Sequence, residues 1–156
     1  MTELGADPRV VEVDQFYPHP PERVWRALTT PELMARWLMA PTGFAPVVGT
    51  RFSFRGQPMP SVGFSGEIAC EVLDVVDGER LAISWADAQS DKPPAWVVTW
   101  TLCPEGTGTR VVLRHSGFDP DDVVQLRSRS IMGNGWVRIA AQLGELLDST
   151  AKNHQG

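Results

Sequence analysis

Three histidines, two cysteines and six tryptophans are the residues of this 156-residue chain that invite a chemical reading first. His154 lies in a polar C-terminal tail, and His19 precedes a helix start, where it is expected on the surface. His115 differs. It falls in "TRVVLRHSGF" (109–118), where strand alternation sets it beside Val111 and Leu113 on an apolar face. A general acid–base dyad needs a second titratable group, and no carboxylate partner is evident from spacing. A lone inward histidine is more often a satisfied core residue. If the chain is an enzyme, His115 is the group to test. Cys70 and Cys103 are far apart, with no CxxC or Cys/His ligand spacing. Both sit in apolar strand-like runs and are expected to be buried free thiols. No GxSxG elbow, HExxH pair or phosphate loop occurs; "GTGT" (106–109) reads as a turn. Neither metal nor cofactor is expected. Arg55, Glu67 and Thr109 turn inward only in certain strand registers, and one bulge reverses each.

Trp25, Trp37, Trp85, Trp96, Trp100 and Trp136 stand against a single tyrosine. Each indole brings a large apolar body and an N–H that wants a partner. They form either a plain core or the lining of an apolar pocket with a few polar groups.

The elements that must position these residues follow from pattern. "RVVEVDQFY" (9–17) alternates and reads as a strand. Pro21 fits the first position of a helix, with Val24, Ala27 and Leu28 on its apolar face. Thr30-Pro31-Glu32 repeats the start signal, with Thr30 as N-cap, and ends the first helix. The spacing predicts a short helix–helix corner, with Trp25 as a packing anchor. Residues 40–49 read as a loop. Strands are expected at 50–56, 64–76, 79–85, 96–104 and 109–118, with Asp77-Gly78 as a hairpin turn and a proline-rich loop at 86–95. Val98, Trp100 and Leu102 are expected to face Val111, Leu113 and His115. Trp136, Ile139, Ala140, Leu143, Leu146 and Leu147 then mark an amphipathic helix near 134–149, begun earlier if Gly133-Asn134-Gly135 breaks a longer one. Gly144 borders its buried face, for close packing or for ligand room. Grouped strands with helices at the ends predict an α+β fold with an antiparallel sheet.

Charge narrows the function. A net −5 argues against nucleic acid and against an anionic membrane surface, both of which need basic residues. Arg127 and Arg129, beside Asp121 and Asp122, read as solvated surface. No stretch approaches the roughly 18 apolar residues of a membrane span, and no signal peptide is visible, so the expected location is cytoplasmic. The length fits one domain, over residues 9–150, with flexible tails at 1–8 and 151–156.

"PPERVWRALTTPELMARWL" (20–38) resembles the opening of the START-like, Bet v 1-like superfamily. Within it the chain is most similar to bacterial homologues of the C-terminal domain of the Hsp90 ATPase activator. "GEIACEVLDVVDGERLAISW" (66–85) resembles that family's central hairpin, "VTWTLCPEGTGTRVVLRHSGF" (98–118) its most specific segment, and "GWVRIAAQLGELL" (135–147) its terminal helix. Pro20 departs from the pattern, since a side-chain cap often stands there. The resemblance implies a helix-grip fold: a curved antiparallel sheet wrapped around a long C-terminal helix, two short helices plugging one end, and an internal cavity. It carries over no catalytic residues. The candidate lining is Trp37, Phe52, Phe54, Trp85, Trp100, Leu113, His115, Trp136, Ala140 and Gly144, with Trp37 at the mouth. The expected function is binding of a small hydrophobic or aromatic ligand, by a monomer or homodimer. A polyketide cyclase- or hydratase-like enzyme using His115, or an Hsp90 co-chaperone, are the alternatives.

Overall fold

The computed structural model describes residues 7–62, 64–91 and 95–154. Residues 1–6 and 155–156 of the expected tails, and 92–94 of the expected loop, lie outside the described residues. Seven strands form one antiparallel sheet in the order β1-β7-β6-β5-β4-β3-β2. These are β1 (Val10–Tyr17), β2 (Pro41–Thr42), β3 (Arg51–Arg55), β4 (Glu67–Val76), β5 (Arg80–Asp87), β6 (Trp96–Glu105) and β7 (Gly108–Ser116). Helices α1 (Pro21–Thr29) and α2 (Pro31–Trp37) follow β1, and α3 (Val123–His154) closes the chain. The α+β class is as the element pattern predicts, and the helix-grip arrangement is as the family resemblance implies.

Alternation decides which side chains meet α3. Leu81, Ile83 and Trp85 on β5, Val98, Trp100 and Leu102 on β6, and Val111, Leu113 and His115 on β7 are all buried. The β6–β7 register pairs Val98 with His115, Trp100 with Leu113 and Leu102 with Val111, the expected hairpin. The same parity corrects Cys103. With Leu102 inward, Cys103 faces out and is exposed, while Cys70 is buried. Burial pushes the Cys70 thiol up to about 12. Of the register-dependent polar residues, Arg55 is exposed and Glu67 half-buried. Thr109 is fully buried and its hydroxyl donates to the His19 carbonyl at 2.7 Å.

Three further expectations change. The 40–49 segment contains the two-residue strand β2, paired with Ser53 and Phe54 of β3. The helix does not break at 133–135: α3 runs unbroken for 32 residues, including 151–154. Glycine in a helix costs about 1 kcal/mol against alanine. Here buried Ser128 and Trp136 on either side pin the helix down, so tertiary packing overrides propensity. Arg129 is not solvated surface. Its guanidinium donates to the carbonyls of Val10 and Asp7, both at 3.0 Å, and ties α3 to the start of β1.

The α1–α2 corner forms as predicted. Thr30 has φ −106° and ψ 116°, an extended conformation that Pro31 favours, and it ends α1. Neither Pro20 nor Thr30 makes a side-chain cap hydrogen bond. The corner is held by burial instead: Trp37 is 1% exposed and its indole N–H donates to the Ala27 carbonyl at 2.8 Å. Trp25 is half-buried against the core, as an anchor should be.

Candidate functional site

Between α3 and strands β1, β6 and β7 lies a gap of about 10 Å³. One water needs about 10–15 Å³, so the gap is water-sized. Its walls are Val13, Tyr17, Trp37, Trp100, Val111, Leu113, Ile139, Ala140 and Leu143, with Gln15 as the polar exception. Four candidates from the sequence, Trp37, Trp100, Leu113 and Ala140, are therefore brought together here. Trp37 stands at the gap but is nearly fully buried, so it forms a wall rather than an open mouth.

The other candidates lie in continuous aromatic packing beside the gap. Trp37 meets Trp100 edge-on at 6.1 Å, Trp100 meets Trp136 at 5.9 Å, and Trp136 meets Trp85 at 5.2 Å. Trp85 continues to Phe54 at 5.7 Å and Phe54 to Phe52 at 5.4 Å. All but the tilted Trp85–Phe54 pair are edge-to-face, and such aromatic pairs add about 0.5–1.5 kcal/mol each beyond burial. Most of the indoles are thus core, and Phe52 and Phe54 sit away from the gap.

His115 is fully buried. The Trp136 indole N–H donates to its Nδ1 at 2.9 Å, which places the ring proton on Nε2. That Nε2 has no hydrogen-bond partner. The rings of Phe118, Trp96, Trp136 and Trp85 surround it at 4.6–6.3 Å. Burial pulls its pKa down to about 3, so the imidazole is neutral at ordinary pH. No carboxylate or guanidinium reaches it among the described residues. The ring holds the core together and has no substrate-facing side, which removes the support for an acid–base role.

Tyr17 is the residue that sequence reasoning missed. Its hydroxyl donates to the Ala140 carbonyl at 2.7 Å, and burial raises its pKa. A Cβ on Gly144 would stand 3.3 Å from the Tyr17 ring. Gly144 therefore makes room for the neighbouring tyrosine, and close packing is its reason. Tyr17 ends β1, where alternation from Val11 and Val13 already pointed it inward; that parity was the available signal.

His19 is also corrected. It is buried, and its Nε2 lies 2.8 Å from Asp148 Oδ1. The end of α3 passes over it, a tertiary placement that local sequence does not carry. Among the described residues no cluster of three or more His, Cys, Asp or Glu is placed to hold a metal, and no helix is long and apolar enough to cross a membrane.

A seven-stranded antiparallel sheet gripping a long C-terminal helix, with a helical corner at one end, defines a START-like, Bet v 1-like protein. The profile of the family described as activator of Hsp90 ATPase homolog 1-like protein matches residues 18–148, and the chain belongs to that family. Protein MLL2253 from Mesorhizobium loti is 39% identical, with a TM-score of 0.79 over 91% of this chain and 98% of that one. CalU16 from Micromonospora echinospora is 24% identical, with a TM-score of 0.69 over 92% and 79%. The Aha1 dimer from Colwellia psychrerythraea is 17% identical, with a TM-score of 0.73 over 88% and 95%. The last two show likeness of fold. No curated protein matches the sequence.

Proposed function

We propose that the chain is a non-catalytic binding module for a small, flat hydrophobic ligand that enters between α3 and the sheet. The supporting observation is the gap itself: an almost wholly apolar space in the grip of the fold, walled by Trp37 and Trp100. Small-molecule sites are built this way, from apolar walls and few polar groups. On this reading the Trp100 indole N–H, which makes no hydrogen bond among the described residues, is the donor for a ligand acceptor. At about 10 Å³ the gap is too small to hold a ligand as it stands. A ligand must bind an opened minor conformation, which lowers its apparent affinity by the fraction open.

The test is a titration of the full chain with 2-acetylnaphthalene and naphthalene, followed by tryptophan quenching and by amide shifts. Saturable quenching is expected, with shifts at Val111, Leu113 and Ile139, and tighter binding of the ketone. Linear, non-saturating quenching with no shifts at these residues overturns the reading.

A further inference from the structure

Four arginines of the sheet's outer surface have a carboxylate: Arg51 has Glu71, Arg80 has Asp74, Arg110 has Asp14 and Glu105, and Arg114 has Glu12, whereas exposed Arg55 has none among the described residues. Arg23 and Arg26 on α1 also lack one, and they stand together at the same groove. They are three residues apart, hence neighbours on one helix face. Neither guanidinium has an ion-pair or hydrogen-bond partner among the described residues. Glu22 stands four residues before Arg26 without pairing to it, and the Asp148 carboxylate is taken by His19. Both arginines line a groove of about 210 Å³ between α1, α2 and the C-terminal part of α3. Its apolar lining comes from Ala27, Leu33, Leu146 and Leu147. No acidic side chain lines it among the described residues. On a chain of net charge −5, two adjacent unpaired guanidinium groups over an apolar floor are a local inversion of charge.

We infer that this groove is a second binding site, for a short-chain amphipathic carboxylate. Guanidinium groups match a carboxylate's planar geometry, and two of them offer bonds to both oxygens. The leucines and Ala27 take the tail. The groove is smaller than the roughly 300–1,000 Å³ of a drug-sized site. At about 210 Å³ it suits a short aliphatic tail. It is too short for an extended peptide or a long acyl chain. The site is separate from the internal gap and does not rest on the reading of that gap.

The experiment is an amide-shift titration of the full chain with octanoate, against octanol (same tail, no charge) and octyl phosphate (same tail, different anion). Octanoate is expected to saturate with shifts across α1 and residues 143–150, and octanol to bind at least tenfold more weakly. The double variant R23Q/R26Q, on the surface and expected to fold, should weaken octanoate at least tenfold. L33W, which fills the groove from α2, should abolish the shifts independently of charge. Equal binding of octanol, or an unaffected R23Q/R26Q, overturns the site. Tighter binding of octyl phosphate overturns the carboxylate assignment. Shifts confined to Val111, Leu113 and Ile139 would place octanoate in the internal gap and overturn the groove.

Discussion

His115 carries the strongest single-residue consequence for stability. Its pKa is held near 3 in the folded chain by burial, whereas a free imidazole titrates near 6.5. Between these values the unfolded chain binds a proton that the folded chain refuses. Stability therefore falls as pH drops from about 6.5 towards about 3, and is unaffected by this group above that window. At pH 4.5 the penalty is roughly 3 kcal/mol, from about 2 pH units below the unfolded value at about 1.4 kcal/mol each. His115→Gln keeps an acceptor for the Trp136 N–H and does not titrate. Urea unfolding at pH 7 and pH 4.5 should show the wild type losing roughly 3 kcal/mol more than the variant. Equal losses would mean that the ring is not held neutral. The orphaned Nε2–H adds a standing cost of about 1–3 kcal/mol at every pH, a sign that His115 sits where shape and the Trp136 bond matter more than full satisfaction.

At the scale of elements, the corner of α1 and α2 separates two signals that a sequence runs together. Proline at the first helical position and a following acid mark where each helix begins, and both starts are where they were read, at Pro21 and Pro31. The expected N-cap bond of Thr30 is missing. A working cap is worth about 1 kcal/mol, so Thr30→Ala should cost only a few tenths. Thermal or urea unfolding checks this; a loss near 1 kcal/mol would show that the hydroxyl caps α2 in solution. The strands explain why so much else was legible. Period-two alternation on β5, β6 and β7 fixes which face is buried, and the hairpin register follows from a short turn. The same rule, applied one residue further, would have put Cys103 outside and Tyr17 inside. What local pattern does not hold is where distant elements cross. The pairing of His19 with Asp148, the seat of Arg129 on Val10 and Asp7, and the Tyr17 ring against Gly144 all join residues more than a hundred positions apart. Within the site, residue types were legible, but how tightly they close was not: a list of large aromatics is compatible with a cavity or with edge-to-face contacts that fill it.

For the whole molecule, the grip around α3 sets packing against binding. The gap is small because Tyr17, Trp37, Trp100 and Leu143 meet around it, and any ligand there must part them. Stability and affinity are thus expected to move in opposite directions on one substitution. Leu143 is 2% exposed and forms one wall, so Leu143→Ala should destabilise by about 2–5 kcal/mol. It also enlarges the gap and removes part of the cost of opening. 2-Acetylnaphthalene should then bind about tenfold more tightly to the folded variant than to the wild type, as a larger competent fraction raises apparent affinity. Natural domains are stable by about 5–15 kcal/mol, so a chain at the lower end risks unfolding. Leu143→Val, a smaller change, supplies the same comparison with less loss. Unfolding curves give the stability arm, and tryptophan quenching on the folded protein gives the affinity arm. If both variants lose stability while ketone affinity falls or stays level, the space beside Leu143 is core alone, and the ligand site must be sought away from the sheet–helix interface.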